Sequence, residues 1–373
     1  MLRNVVAVVG AGPAGCSTAI RLKKSLPELE VYLYEQRPTI GKSECGEAIG
    51  KKAVEENTDI IGKSNRYVAR DVNDIIWKIG NKEKRIESEG YMIYRPVFNK
   101  FLTEVAEDAG VNINTGSFVT PERKLKEGWK IHIKTEDSEY DKECDVVVAT
   151  DGASSATALR CNLMTLTQYK EWFRGHVLGY QMKINSSFSE DPLTFDFTPK
   201  PDSTTLYHYA FHQHNNISNF GFLTTRGTLS LDFLRERTAD WIKKYGIEKY
   251  KIIKEMAQHI PVSGPIPKTY GDGIVVVGDA GIGANPIVGG GIHTALKGGE
   301  LAAKTIVEAY EIGSVDEKVL KKYENRWKAQ PFGYKVLLRG KRALELLRTG
   351  YKVNKKMMKD YNRALDITRN WGW

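Results

Sequence analysis

The chain has 373 residues, 41% hydrophobic and 27% charged, enough for two interleaved lobes around a sizeable core. Its net charge of +9 is unevenly placed: residues 318–373 hold 16 Lys+Arg against 4 Asp+Glu, whereas residues 1–317 hold 39 against 42. No apolar run reaches the ~18 residues of a membrane span, there is no repeat, and four cysteines without framework spacing (Cys16, Cys45, Cys144, Cys161) predict a cytoplasmic protein with reduced thiols.

In chain order, Val5–Val9 is β-branched and apolar on both faces, which predicts a buried parallel core strand rather than a signal peptide. Gly10-Ala-Gly12-Pro-Ala-Gly15 follows at once, and Cys16–Leu26 has helical spacing. A second strand, Glu30–Tyr34, ends at Glu35, twenty residues past Gly15. This strand, turn, helix, strand and acid together form a dinucleotide fingerprint. In it Gly10 permits the turn, Gly12 lets backbone approach a pyrophosphate, Gly15 lets helix pack on strand, and Glu35 accepts from ribose hydroxyls. The fingerprint by itself does not separate FAD from NAD.

A loop with Ser43-Glu-Cys45-Gly46-Glu47-Ala48-Ile49 comes next. Residues 66–94 read as antiparallel strand, and Tyr91–Tyr94 leads into a helix with Arg95 at the junction, placed to hydrogen-bond a phosphate or a flavin. Strands within 111–135 predict a small hairpin sheet. Cys144–Ala149 predicts another buried strand, ending in Asp151-Gly152 beside Gly10–Gly15.

Residues 175–265 alternate apolar and polar positions, with one helix expected over Leu231–Tyr245. Tyr207, Tyr209 and Phe211 fall on one strand face and His208, His212 and His214 on the other. The aromatic face suits either the wall of an apolar pocket or ordinary packing. No metal site is expected from the histidines, because no carboxylate or cysteine joins them.

The strand Ile274–Val277 then ends in Gly278-Asp279, and a glycine run through Gly289-Gly290-Gly291-Ile292-His293 opens a helix to about Tyr310. Glycines and a helix N-terminus together suit a flat, polar ring with a polyol link, and this second half favours FAD. In the basic tail, Val336, Gly340, Leu344, Leu347 and Tyr351 recur at helical spacing, which fits a bilayer interface or core packing. Nucleic acid is not expected, since no binding motif accompanies the charge.

Taken in this order, Gly10–Gly15, Glu35, Arg95, Asp151-Gly152 and Gly278-Asp279 resemble the FAD-dependent hydroxylase superfamily, over roughly residues 1–330. The Ser43–Ile49 and Gly289–Ile292 segments resemble its geranylgeranyl reductase branch, whose members saturate isoprenoid chains. That branch usually shows Tyr-x-Trp-x-Phe-Pro; here the segment is Tyr207-His-Tyr209-Ala-Phe211-His212, so tyrosine and histidine replace tryptophan and proline.

The expected fold is α/β plus α+β: a Rossmann-like FAD-binding domain (1–65, 95–165, 270–315), an antiparallel-sheet substrate domain (66–94, 166–269) and a helical C-terminal segment (316–373). The expected FAD contacts are Gly10, Gly12, Pro13, Ala14, Gly15, Glu35, Gln36, Arg37, Cys45, Gly46, Arg95, Val119, Asp151, Gly152, Gly278, Asp279, Gly289, Gly290, Gly291 and Ile292. Tyr207, Tyr209, Phe211, Phe220 and Phe222 are expected at the substrate, with Cys45, Glu47 and Tyr209 as catalytic candidates and His293 as structural.

The chemistry implied is delivery of a hydride from reduced flavin to a carbon–carbon double bond, with an acid group or water protonating the neighbouring carbon. Electrons would come from NADPH, a ferredoxin or a similar donor, and the basic tail would touch the inner membrane face. Two other readings stay open: a flavin-dependent aromatic hydroxylase, and a flavin- or lipid-binding protein without turnover. A halogenase is disfavoured, because no Trp-x-Trp-x-Ile-Pro segment is present.

Overall fold

A computed structural model describes residues 2–41, 45–188, 192–197, 205–225 and 229–330. Three sheets organise it. The first has six strands in the order Tyr270–Gly271, Ile274–Val276, Val146–Ala149, Val5–Val9, Glu30–Tyr34 and Asn112–Asn114, all parallel except the first. Its interior strands are buried on both faces, as uninterrupted apolar runs require. On one side lie the helices Pro13–Ser25, Arg95–Asp108 and Ile292–Ile312, sharing a core with the strands. On the other lies a three-stranded antiparallel sheet, Phe118–Lys124, Trp129–Lys134 and Glu139–Cys144.

Two expectations shift here. Asn112–Asn114 joins the parallel sheet instead of the small one. The single strand expected over Cys144–Ala149 is broken at Asp145, where the chain passes from one sheet to the other. The Asp145 carboxylate accepts from the backbone N–H groups of Arg3 (2.9 Å) and Val5 (3.1 Å) and from the Tyr310 hydroxyl (3.0 Å), so this buried acid fastens the crossing.

The third sheet has eight strands in the order Lys251–Ile260, Val177–Asn185, Ile217–Thr224, Thr205–His214, Leu193–Asp196, Val68–Ile79, Lys82–Ile93 and Ala48–Gly50. The antiparallel pattern predicted for 66–94 and 175–265 holds except where Leu193–Asp196 runs parallel to Val68–Ile79. Ala48–Gly50, inside the stretch expected to serve the cofactor unit, pairs with Lys82–Ile93 in this sheet. One face packs on the helix Leu231–Lys243, capped by the Ser230 hydroxyl on Phe233 N–H. The other face turns toward the parallel sheet and bounds a cavity.

The helices Glu317–Leu320 and Lys322–Ala329 bury Leu320, Tyr323 and Trp327. Arg326 and Lys322 both pair with Glu308 on the long helix, so part of the basic excess is held against the body of the protein. The apolar stripe expected over 336–351 lies outside the described residues. Among the described residues, no helix is long and apolar enough to cross a membrane.

Candidate active site

The Gly10–Gly15 turn is built by exclusion of side chains. Gly10 has φ +107°, and a Cβ there would meet the Thr150 carbonyl oxygen at 2.5 Å. A Cβ on Gly15 would overlap the Gly10 carbonyl oxygen. Gly12 differs: it has φ −77°, and nothing in the protein lies within 4 Å of a Cβ built on it. The protein thus closes on two of these glycines and leaves the middle one facing open space, where a ligand's backbone contacts would form. Glu35 stands beside this turn, accepting from Ala11 N–H at 3.2 Å and from Arg37 N–H at 3.0 Å.

Three helices point their N-termini at the same cavity: Pro13–Ser25, Arg95–Asp108 and Ile292–Ile312. None is capped by the side chain of its own N-cap residue, and Pro13, Arg95, Gly291 and Ile292 all line the cavity. Such N-termini leave N–H groups and positive dipole ends for an anion such as a pyrophosphate.

Asp279 lies in the short 3-10 turn Gly278–Ala280 and lines the cavity. Its Oδ1 is sealed from solvent with no hydrogen-bond partner, and burial raises its pKa to about 6, with Arg95 opposing. An orphaned carboxylate oxygen facing a cavity is the acceptor that ligand hydroxyls would satisfy. Together with the Gly12 opening and the helix ends, it fits FAD.

The raised value has a consequence for the apoprotein. Asp279 favours the fold fully below its unfolded value near 3.8, and that contribution is lost as pH rises through about 6. Asp279→Asn removes the titration. The variant apoprotein should therefore be more stable than wild type at pH 7, by about 2 kcal/mol after allowance for opening to the cavity. The gap should close at pH 4. Chemical denaturation of both apoproteins at the two pH values tests this, and an unchanged gap would remove Asp279 as its source.

The Cys45–Glu47 loop forms one wall. Cys45 Sγ accepts from Glu47 N–H (3.2 Å) and from Arg95 Nη1 (3.4 Å), and Arg95 Nε donates to Asn99 (2.9 Å). Glu47 is buried and has φ +65°, an uncommon conformation for a residue with a side chain. Its Oε2 takes Lys183 Nζ at 2.6 Å and the amides of Gln213 and Asn219 at 3.1 Å each, and its Oε1 takes Arg95 N–H at 3.2 Å. Both carboxylate oxygens are thus occupied by N–H donors of the protein itself. Glu47 is therefore corrected from acid candidate to organiser of the loop.

Tyr207, Tyr209 and Phe211, joined by Phe195, line the same cavity. Their rings form a continuous strip, with centroids 4.7 Å apart for Tyr209–Phe211 and 5.0 Å for Phe195–Phe211. Phe220 and Phe222 do not belong to it. Tyr209 pairs with Gly221, so strand alternation sends Phe220 and Phe222 to the opposite face, against Trp241 and Ile242 of the helix. Both are corrected from substrate contacts to core.

The remaining expected residues divide. Gly46 and Gly289–Ile292 line the cavity, and Gly152 has open space at its Cα. The Asp151 carboxylate is held by the hydroxyls of Ser155 (2.6 Å) and Thr157 (2.7 Å). Gln36 and Arg37, which follow Glu35, are exposed. The Val119 side chain is buried between the small sheet and the parallel sheet. His293 Nε2 sits 3.1 Å from Glu56. On the histidine face, His208 packs on Trp241, and His212 meets Ser218 at 3.2 Å. Sequence reasoning missed Phe195, Gln181, Met256 and Lys183. Gln213 offered one usable signal, as a polar residue ending the 207–209–211 face.

Fold and cavity define a flavin adenine dinucleotide-binding oxidoreductase. A family model described as lycopene cyclase protein matches residues 5–367, and the chain belongs to that family. It is similar to digeranylgeranylglycerophospholipid reductase 1 of Methanopyrus kandleri, 29% identical over 342 residues that cover 87% of this chain and 86% of the relative. Its fold is similar to that of a geranylgeranyl bacteriochlorophyll reductase-like protein from Thermoplasma acidophilum (TM-score 0.81, 22% identity, 98% of both chains). A p-nitrophenol 4-monooxygenase from Pseudomonas putida shares the fold at TM-score 0.71 and 16% identity, covering 98% of each chain. The resemblance to the FAD-dependent geranylgeranyl reductases is upheld.

Proposed function

We propose that this protein saturates carbon–carbon double bonds of geranylgeranyl-type chains on membrane lipids or their precursors. One observation carries the reading: a strip of aromatic rings, Phe195, Tyr207, Tyr209 and Phe211, lines the same cavity as Gly46, Asp279 and Gly289–Gly291. Support comes from relatives named as digeranylgeranylglycerophospholipid reductases. In this reading residues 66–94 and 166–269 form the substrate unit and the rest of 1–315 the FAD unit.

Bound FAD supplies the two-electron reducing chemistry that no side chain can. The protein's own part is to orient the chain and keep water out, because an isolated alkene is a poor electrophile and needs close, dry apposition. The aromatic strip holds the chain. Gly289–Gly291 line the cavity without side chains, and the Cys45 sulfur lies at its surface. Arg95 and the Glu47 backbone fix where that sulfur points.

Cys45→Ala should lower the rate of alkene reduction by about a hundredfold, the range of one proton donor, while bound flavin per chain stays at the wild-type level. Parallel loss of both would assign Cys45 to the cofactor instead.

The direct test begins with the visible spectrum of the purified protein and mass spectrometry of the lipids extracted from it. Dithionite-reduced protein is then given a geranylgeranyl lipid without oxygen. Uptake of one H2 per double bond, with reoxidation of the protein, is the expected result. A second reading, aromatic hydroxylation, draws on the shared fold of the p-nitrophenol monooxygenase; substrate-dependent oxygen uptake with NADPH would favour it. A protein without turnover would never be reoxidised by substrate. The electron donor is read as NADPH, a ferredoxin or a similar carrier, and the location as cytoplasmic with contact at the inner membrane face.

A further inference from the structure

Four strands of the eight-stranded sheet line up one residue each in a lateral row: Tyr209, Gly221, Gln181 and Met256. Tyr209, Gln181 and Met256 line the cavity, and the row crosses the wall that carries the aromatic strip. Gly221 makes the row work. A Cβ there would collide with the Tyr209 ring and hydroxyl, so the absence of a side chain lets Tyr209 lie over the neighbouring strand. Its hydroxyl thereby reaches Gln181 and donates to Oε1 at 2.7 Å.

That bond fixes the carboxamide and turns its other end loose. Gln181 is 4% exposed, and its Nε2 is buried without a hydrogen-bond partner. The polar atoms around it are engaged elsewhere. The Tyr207 hydroxyl donates to the Val288 carbonyl, and the Lys183 ammonium is paired with Glu47. The wall therefore holds an anchored N–H donor with no acceptor of its own. A bare polyene would leave this donor unsatisfied, a standing cost. The amide itself is neutral and brings no charge that would favour an anion. A neutral oxygen fits.

We infer that Gln181, positioned by Tyr209 across Gly221, is a specificity-determining residue that donates a hydrogen bond to a neutral oxygen (ether, hydroxyl or carbonyl) on an isoprenoid substrate. The inference rests on the reading of the cavity as an isoprenoid site. It also gives Tyr209 a positioning role, since its hydroxyl sets the amide's orientation from the side.

The test uses the oxidised holoprotein and two probes: geranylgeraniol, and the hydrocarbon in which a methyl group replaces its hydroxymethyl. Binding is read from perturbation of the flavin absorption spectrum, so turnover is not required. Wild type should bind the alcohol about tenfold more tightly, the range expected when a buried donor gains or lacks its acceptor. Gln181→Leu combined with Tyr209→Phe replaces the polar pair with apolar groups of similar shape and should bind both probes alike. Tyr209→Phe alone frees the amide and should narrow the preference without abolishing it. Equal binding of the two probes by wild type, as a resident water on Gln181 would produce, overturns the inference. So does a preference that survives in the double variant. Absence of binding by both probes overturns the isoprenoid reading and this inference with it; binding without discrimination overturns this inference alone.

Discussion

Gly12→Ala should yield a protein that folds as stably as the wild-type apoprotein yet retains almost no FAD, whereas Gly15→Ala should fail at the fold. The difference follows from where the missing side chains point. At Gly12 the backbone is one any residue adopts, and a Cβ would enter space empty of protein. Alanine there costs the apoprotein little, within about 0.5 kcal/mol. It does remove the room a pyrophosphate needs to reach the N–H groups of the Pro13–Ser25 helix, and the affinity built on that contact goes with it. At Gly15 the new methyl would overlap the Gly10 carbonyl and crowd the Thr150 hydroxyl, which bridges the Val9 (2.7 Å) and Gly10 (2.8 Å) carbonyls. Neither neighbour is a flexible chain end. Relief requires moving helix from strand at the centre of the larger core, a cost of about 3 kcal/mol or more. Flavin content by absorbance and melting of the apoproteins separate the two. A Gly12→Ala protein carrying a full complement of FAD would mean that the cofactor lies elsewhere.

The parts of this molecule legible in its sequence are those whose physics is local. Glu30–Tyr34 forms as predicted, and Gly10–Gly15 closes as expected, because strand, turn and helix are set by residues a few positions apart. Asp279 could be assigned to the site from the apolar strand ending beside it. The aromatic wall could not be read in the same way. Phe220 and Phe222 share aromatic character with Tyr209, but their facing depends on the phase of one strand against another. That phase is fixed by the Tyr209–Gly221 pairing. Phe195 reaches the cavity only because its short strand adds parallel to Val68–Ile79, a pairing more than a hundred residues away that no local period announces. Gln181 and Met256 become neighbours across the sheet, through register alone. Glu47 was visible as a polar residue near the cofactor loop. Its role was not, since three of its donors, Lys183, Gln213 and Asn219, come from three different distant strands.

Those donors make Glu47→Ala the substitution with the largest expected effect outside the glycine turn. Glu47 and Lys183 have side-chain exposures of only 6% and 16%, so deleting the carboxylate strands an ammonium in a poorly solvated place. It also takes one of two acceptors from each amide, leaving Gln213 on Ile93 O (2.8 Å) and Asn219 on Gly46 O (3.2 Å). Breaking such a pair from one side costs roughly 3 kcal/mol, with the residual solvent access of Lys183 keeping it below the fully buried limit. Removing the cation as well should return much of that loss. Glu47→Ala with Lys183→Met is therefore expected to be more stable than Glu47→Ala alone, by about 2 kcal/mol, a coupling that additive surface charges would not give. The backbone supplies a separate handle. At φ +65° a glycine is at ease where alanine is strained, so Glu47→Gly should be more stable than Glu47→Ala by about 1 kcal/mol despite losing the same carboxylate. Chemical denaturation of the four proteins measures all three differences. If Glu47→Ala unfolds at the wild-type midpoint, or the double variant is no more stable than the single, the carboxylate does not hold this loop. Cys45 would then owe its place at the cavity to Arg95 alone.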